Sequence, residues 1–338
     1  FKKVTNASLK IAPEELINQL SNRLSTISSD LLDIKSLIDT SDFASNSELS
    51  STDKLRIIGF KSNNFETFGV DPAKNIHRIS SKKHKVICDF FNEKVTTKLP
   101  KKFDFIISQN SFAHNVNPIK FLINARKLMH NESLLIIQTS QANMCRNYEF
   151  DTVYHEHISY FNVNSMNELL KRSNLNLYNL IKDPIHGTSN IFIIKKNSNQ
   201  KKIKFLIKKE KNFNLKYYKN WGKKCKYFAK NIKIKLERIS KKDTVIGYGA
   251  AAKANTFLNF TGIKFDFIID DNKFKQNKFC PGSKIPIRSL NFLKKYKKNI
   301  YVVPLAWNFF KEIKKRVKSS RKNYKDKFII FYPKFKIY

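Results

Sequence analysis

Short apolar runs alternate with segments of helical spacing in the first part of this chain, and this alternation constrains the fold most. Runs of strand length occur at LLDI (31–34), FETFGVD (65–71), KVICDF (85–90), FDFIIS (103–108) and SLLIIQT (133–139). Between the last two, PIKFLINARKLMH (118–130) places apolar residues at helical spacing. Strands that alternate with helices form a parallel sheet covered by helices. The sequence therefore predicts an α/β fold.

A second, smaller α/β pattern occupies the end of the chain. Two runs, 175–183 and 189–197, predict an antiparallel pair that closes the first pattern, and a basic helical stretch follows them. Strand and helix candidates then recur at KDTVIGYG (242–249), AAAKANTFLNFTG (250–262), FDFIIDD (265–271) and NIYVVPLAW (299–307). A chain of 338 residues is long for one domain. We expect a first domain over 1–200, a basic helical connector over 201–241 and a C-terminal domain over 242–338.

The formal net charge of +38 has two interpretations. The stretch 201–235 combines lysines with aromatic residues, as nucleic-acid-binding surfaces do. Lysine greatly outnumbers arginine, however, and Asn, Ile and Phe are frequent along the whole chain, which indicates compositional bias of the genome. We therefore expect no nucleic-acid partner. One further interpretation stays open: the basic surface attracts a smaller anion, such as a sugar nucleotide.

Cysteine spacing and the length of the apolar runs indicate the compartment. The four cysteines (Cys88, Cys145, Cys225 and Cys280) form no C-x-x-C pair, which fits a reducing compartment and predicts neither a zinc site nor a disulfide framework. The apolar runs are far shorter than the ~20 residues of a membrane span. The first residues carry no signal-peptide pattern. We expect a soluble, cytoplasmic protein without a membrane partner.

Two strand ends carry patterns of nucleotide sites. Asp71 in FGVDP follows a strand, where a carboxylate can bind ribose hydroxyls or cap the next helix. The motif GYGAAA (247–252) follows a strand and opens a helix, and Asp270 and Asp271 come about twenty residues later. This spacing meets the form of a dinucleotide fingerprint. The alternative is a helix start whose small residues serve packing.

The segment TVYHEHISYF (152–161) gathers titratable side chains. His155 and His157 lack the i, i+4 spacing of a helical zinc site, so we expect no metal there. The segment could simply cap the helix that begins near Asn164. Alternatively, histidine, carboxylate and tyrosine together suit general acid–base work beside a carbonyl group.

Several segments resemble the sugar-nucleotide C-methyltransferases, which use S-adenosyl-L-methionine to methylate carbon 3 of an NDP-4-keto-deoxysugar. They occur in the order of that family and cover roughly residues 65 to 338: FGVDPAKNI, ISQNSFAHNVNP, FDTVYHEHISYF, PIHGTSNIFI, VIGYGAAAKANTFLNF, IIDDNKFKQNKFCPGSKIPI and VVPLAWNF. The resemblance implies a class I methyltransferase domain, which is Rossmann-like, followed by a smaller C-terminal α/β domain. It also implies a nucleotide-sugar substrate, held partly by that C-terminal domain.

The resemblance implies roles for individual residues as well. His157 would be the base that removes the carbon 3 proton, Tyr154 and Glu156 would line the sugar, and His114 would lie near the reacting centre. The candidates for the cofactor are Asp71, Asp89, Phe90 and Asn110. The candidates for the substrate are Lys253, Asn255 and His186.

Two departures from the family keep other functions open. The cysteine-rich zinc-binding domain with which the family usually begins has no counterpart here, so we expect a truncated or naturally short chain. Residues 1–58 contain no glycine, although the family carries a glycine-rich cofactor loop that LLDIKSLIDTS (31–41) would have to replace. A catalytically impaired or binding-only relative is therefore one alternative. An NAD-linked sugar-nucleotide oxidoreductase that uses residues 247–252 is another.

Overall fold

The computed structural model of the chain describes most of the region after residue 65. The described residues are 66–82, 84–139, 144–183, 189–198, 201–209 and 213–338. The predicted strand 31–34, the predicted cofactor loop and His186 lie outside them.

Strands and helices alternate along the described residues, as the apolar pattern predicts. The strands are β1 Phe68–Val70, β2 Lys85–Ile87, β3 Phe103–Gln109, β4 Met129–Thr139, β5 Asn176–Asp183, β6 Ser189–Lys195, β7 Thr244–Tyr248, β8 Ile268–Ile269, β9 Ile287–Arg288, β10 Ile300–Pro304, β11 Lys327–Ile330 and β12 Lys336–Ile337. The helices are α1 Lys74–Ser80, α2 Glu93–Thr96, α3 Pro118–Lys127, α4 Met144–Asn147, α5 Val163–Arg172, α6 Lys201–Lys209, α7 Leu215–Ser240, α8 Ala252–Thr261, α9 Leu290–Lys295 and α10 Phe310–Ser320.

Contacts divide these elements into two units that interleave along the chain. Unit 1 runs to residue 142 and resumes over 159–209, whereas unit 2 comprises 143–158 and 210–338. These limits do not coincide with the linear division at residues 200 and 241. The reason is packing: the short segment before residue 159 and the long helix α7 both contribute to the apolar core of the C-terminal half.

Unit 1 contains a four-stranded sheet in the order β3-β4-β6-β5 and a parallel pair, β1-β2. β3 and β4 are parallel, whereas β6 is antiparallel to both β4 and β5, so the predicted closing pair is present. On one face, Leu135 and Phe192 pack with Leu122 of α3, Met166 of α5 and Ile203 of α6. This packing fixes the edge where β3 and β4 end.

Unit 2 contains a six-stranded sheet in the order β12-β11-β10-β7-β8-β9, parallel except for β12. Helix α7 begins after Asn214, whose side chain accepts a hydrogen bond from the Tyr217 N–H. The buried side chains of α7 recur every three to four residues: Cys225, Ala229, Ile232 and Leu236. This stripe packs into the core of unit 2, while α6 packs into unit 1. The predicted basic helical stretch is thus two helices.

Candidate active site

A tight turn at residues 154–157 lies at the centre of the candidate site in unit 2. The N–H of His157 donates to the carbonyl oxygen of Tyr154 over 3.0 Å, so the chain reverses within TVYHEHISYF. The turn leaves the side chain of His155 89% exposed, whereas His157 is buried. Glu156 lies between them, and its carboxylate is 4.0 Å from His155 Nε2. Of the two histidines, His157 is therefore the one that the protein encloses.

Both ring nitrogens of His157 are hydrogen-bonded. Nδ1 lies 2.9 Å from the carbonyl oxygen of Thr152. A carbonyl oxygen only accepts, so Nδ1 carries the hydrogen. Nε2 lies 2.9 Å from the Tyr154 hydroxyl, which donates to it when the ring is neutral. Nε2 is therefore the basic nitrogen, and its lone pair is directed towards the tyrosine oxygen.

The chain just before the turn is anchored in unit 2. A 3₁₀ turn at Phe150–Thr152 carries Asp151, whose Oδ2 accepts a hydrogen bond from Trp307 Nε1 over 2.9 Å. The ring of Phe150 stacks on that of Phe257, with 6.0 Å between the centroids. These contacts hold the Thr152 carbonyl, and so they also fix which nitrogen of His157 is protonated.

Two buried carboxyl groups interact with one lysine beside this anchor. Burial raises the pKa of Glu149 to about 7, although the hydrogen bond from Asn147 and the charge of Lys253 both act to lower it. Burial also raises the pKa of Asp151, against the charge of Lys253 and the hydrogen bond from Trp307. Lys253 Nζ is buried without a hydrogen-bond partner, 5.2 Å from the centroid of the Trp307 ring. The ammonium group of this predicted substrate residue thus lies in the interior of unit 2.

The other predicted substrate residue on α8 has a similar setting. Asn255 Oδ1 is buried and has no hydrogen-bond partner. Lys253 and Asn255 lie two positions apart at the start of the helix, and each leaves one polar atom without a hydrogen-bond partner. Their role in substrate binding stays a prediction.

The small-residue turn at 247–252 uses its nearby acidic residues within unit 2. The N–H of Ala250 donates to Asp270 Oδ2 over 2.6 Å. The hydroxyl of Tyr248 donates to Asp271 Oδ1 over 2.9 Å. A dinucleotide fingerprint would instead present a carboxylate to a ribose. The observed bonds favour the packing interpretation of this motif.

Candidate cofactor residues follow β1 and β2 in unit 1. These strands are parallel, so Asp71 and Asp89 lie at the same edge. Asp71 Oδ1 accepts the Ala73 N–H over 2.8 Å, and Asp89 Oδ1 accepts the Phe90 N–H over 2.7 Å. This bond forms a turn just before α1, whose N-cap residue is Ala73, and a role for Asp71 at the ribose stays a prediction. The Phe90 ring is 70% exposed and can stack on a base.

Asn110 and His114 follow β3, also in unit 1. Asn110 has a left-handed backbone with φ 52°, and its Oδ1 is buried without a hydrogen-bond partner. A 3₁₀ turn at Phe112–His114 follows, and His114 N donates to the Ser111 carbonyl. Carboxylates for ribose hydroxyls, an exposed aromatic ring for adenine and an unused amide oxygen fit S-adenosyl-L-methionine. Asp71, Asp89, Phe90 and Asn110 are the residues that would hold it.

Metal-binding clusters and membrane-spanning helices are both absent from the described residues. Within the described ranges, no three or more His, Cys, Asp and Glu side chains come together as metal ligands. Nor is any helix in this part of the chain both long enough and apolar enough to span a membrane.

Sequence reasoning missed the residues that support the turn. Glu149, Asp151 and Trp307 were not assigned roles, although EFDT (149–152) precedes the His-Glu-His cluster by two residues. Two carboxyl groups so close to the candidate catalytic cluster were the available signal. The partner of Asp151, Trp307, lies 156 residues away, in the motif VVPLAWNF, and nothing in the sequence linked the two segments.

Two family models match this chain. Residues 52–180 match the methyltransferase domain, and residues 184–333 match the C-methyltransferase C-terminal domain. The two matches confirm the predicted class I methyltransferase domain and the α/β domain that follows it. They also support S-adenosyl-L-methionine as the cofactor.

Individual relatives are more distant. The C-methyltransferase NovU of Streptomyces niveus is 24% identical over 262 residues, which are 72% of this chain and 62% of that protein. This chain thus corresponds to less than two thirds of the relative's length. The plantazolicin methyltransferase BpumL has a TM-score of 0.29 and 15% identity, over 39% of this chain and 68% of that one. A putative methyltransferase in complex with Haloferax volcanii Trm112 has a TM-score of 0.32 and 10% identity, over 39% of this chain and 72% of that one.

Proposed function

Because the chain belongs to the C-methyltransferase family, we propose that it transfers a methyl group from S-adenosyl-L-methionine to carbon 3 of an NDP-4-keto-deoxysugar. The observation that carries this proposal is the hydrogen-bond chain from Thr152 through His157 to Tyr154. It fixes the tautomer of the imidazole, with Nε2 towards a hydroxyl group. A carbon acid next to a carbonyl needs such a base.

His157 begins the reaction. The 4-keto group acidifies the proton on carbon 3, and His157 Nε2 takes that proton. Tyr154, released from Nε2, donates its hydrogen bond to the developing enolate oxygen. The cofactor, which Asp71, Asp89, Phe90 and Asn110 would hold, would supply the electrophilic methyl group, carried on a sulfonium centre, that the enolate carbon accepts.

Enolisation can be measured apart from methyl transfer. We expect the wild type to exchange the carbon 3 proton of a dTDP-4-keto-deoxysugar for solvent deuterium without cofactor. His157→Ala should slow this exchange by ~10²- to 10⁴-fold, as loss of a general base does. His155→Ala is the matched control and should exchange at nearly the wild-type rate, because its side chain is exposed.

The outcomes separate the candidate functions. Loss of exchange in His155→Ala, with exchange retained in His157→Ala, would contradict the assignment of the base. A wild type that binds the sugar nucleotide without exchange or methylation would favour the binding-only alternative.

A further inference from the structure

Unused hydrogen-bonding atoms gather at one edge of the four-stranded sheet in unit 1. The atoms are buried and have no hydrogen-bond partner: Asn110 Oδ1, Gln138 Oε1 and Nε2, Thr139 Oγ1 and Asn190 Oδ1. Burial of such groups without partners costs free energy, and native proteins retain few of them. Their concentration at the edge where β3 and β4 end is what a ligand site would produce.

Thr139 and Asn190 form the central pair of this edge. They lie directly opposite each other in the β4-β6 ladder, and they are 1% and 4% exposed. Directly paired residues project from the same face of a sheet. Two positions earlier on β4, Ile137 pairs with Phe192, and both belong to the apolar core of that face. The polar pair therefore lies where an apolar layer of the core ends. Apolar packing does not explain why two polar side chains are buried there.

The position of the pair favours the methyl acceptor over the cofactor. The β1-β2 pair, which carries Asp71, packs beside β3 through Phe68 and Phe103, whose centroids are 5.5 Å apart. β3 is an edge strand of the four-stranded sheet, and β4 and β6 lie beyond it. Thr139 and Asn190 are thus on the far side of β3 from Asp71, Asp89 and Phe90, whereas Asn110 lies at the end of β3 and donates its N–H to the Gln138 carbonyl.

The chemistry of the pair favours a hydroxyl-bearing ligand. An amide oxygen accepts hydrogen bonds, and a threonine hydroxyl donates and accepts. Neither side chain is charged, whereas a phosphate group is held best by cationic side chains. A hydroxyl group on a sugar ring can donate to the asparagine oxygen and accept from the threonine. These complementary groups occur together on the sugar of a nucleotide sugar.

We propose that Thr139 and Asn190 form the subsite for ring hydroxyl groups of the acceptor sugar. This inference rests on the proposed function and specifies it further: the acceptor retains at least one free ring hydroxyl that the sheet edge recognises.

Isothermal titration with dTDP-4-keto-6-deoxyglucose and with dTDP tests the subsite. Thr139→Val and Asn190→Leu remove the polar atoms with little change in volume. Each should weaken binding of the sugar nucleotide by about 10-fold, the usual effect of one lost hydrogen bond. Affinity for dTDP should not change, because dTDP lacks the sugar. Thr139→Ser keeps the hydroxyl and should retain wild-type affinity.

Two controls separate recognition from packing. Asn167 on α5 also has a buried Oδ1 without a partner, so Asn167→Leu matches Asn190→Leu at a position outside the sheet. Thr261 is buried, and its hydroxyl donates to the Phe257 carbonyl, so Thr261→Val matches Thr139→Val. Both controls should bind the sugar nucleotide as the wild type does. The same loss in controls and test variants would overturn the subsite.

The remaining outcomes distinguish this inference from the proposed function. Unchanged sugar-nucleotide affinity in Thr139→Val and Asn190→Leu would overturn the subsite alone, provided that the wild type binds. Weaker binding of S-adenosylhomocysteine, with the sugar nucleotide unaffected, would assign the pair to the cofactor and also overturn it. A wild type that does not bind the sugar nucleotide would refute the proposed function itself.

Discussion

Trp307 Nε1 donates a hydrogen bond to Asp151 Oδ2 over 2.9 Å and so ties the segment before the turn at 154–157 to a residue 156 positions later. Asp151 is fully buried, and its other oxygen has no hydrogen-bond partner. The charge of Lys253 and the Trp307 donor together stabilise this carboxylate. Thr152, the next residue, presents its carbonyl to His157. The same contact thus supports the fold of unit 2 and the orientation of the candidate base.

Trp307→Phe should destabilise the protein by ~1–3 kcal/mol, because it leaves a buried acceptor without its donor. Urea unfolding measures the change. Trp221→Phe is the matched control, since Trp221 Nε1 is buried without a hydrogen-bond partner and has no bond to lose. Equal destabilisation by the two substitutions would show that ring packing, and not the hydrogen bond to Asp151, sets the cost.

Glu149 should make stability fall as the pH rises towards neutrality. Burial raises its pKa from the ordinary value of 4.5 to about 7, so the folded state binds the proton more tightly than the unfolded state. The contribution of Glu149 to stability is therefore complete below pH 4.5 and is lost as the pH rises through 7. This pKa shift corresponds to roughly 3 kcal/mol in the free energy of unfolding. Glu149→Gln should remove this dependence.

Urea unfolding of the wild type and of Glu149→Gln between pH 4.5 and 7.5 measures this dependence. The free energy of unfolding of Glu149→Gln should exceed that of the wild type by a margin that grows with pH. Glu168→Gln is the control, because Glu168 is exposed and pairs with Lys171 on the surface. Its effect should stay below ~1 kcal/mol at each pH. Parallel curves for the wild type and Glu149→Gln would contradict the raised pKa.

Phe90→Ala should weaken binding of S-adenosylhomocysteine if the exposed ring stacks on adenine. Stacking of a base on an aromatic side chain is worth ~1–3 kcal/mol in nucleic-acid-binding proteins, which is roughly 5- to 150-fold in affinity. Phe205→Ala on α6 is the control, since Phe205 is also an exposed aromatic residue. Calorimetry on the wild type comes first: no measurable binding would support the catalytically impaired alternative. Equal affinity of Phe90→Ala and the wild type would exclude Phe90 from the cofactor site.

Arg321 should be among the most sensitive positions of unit 2. Its side chain is fully buried, pairs with Asp326 and also donates to the carbonyl oxygens of Leu293, Tyr296 and Lys298. Arg321→Met leaves the Asp326 carboxylate buried without its cation, which typically costs ~3–5 kcal/mol.

A second arginine provides the comparison for this position. Arg316 pairs with Asp271, but half of its side chain is exposed, so Arg316→Met should cost at most ~1 kcal/mol. Thermal or urea unfolding of both variants measures the difference. Similar costs would mean that burial does not decide the contribution of Arg321.

The sequence by itself determined the order of strands and helices and the family, because periodicity and motifs are local properties of the chain. FDFIIS became β3 and the pair after residue 175 is antiparallel, as predicted. PIKFLINARKLMH became α3 only up to Lys127, because Met129 and His130 already belong to β4. The sequence also marked His157 as a candidate, but it gave the two histidines of the cluster similar local surroundings. Periodicity states which side of an element is apolar, and it does not state which distant element covers that side.

Only the tertiary structure decided which side chains meet. It placed residues 143–158 with the C-terminal half, closed the turn that buries His157 and exposes His155, and joined Asp151 to Trp307. It also brought Thr139 and Asn190 opposite each other with unused polar atoms. These relationships depend on strand register and core packing between residues far apart in the chain. The free energy of burial, which raises the pKa of Glu149, arises only when those distant residues exclude water together.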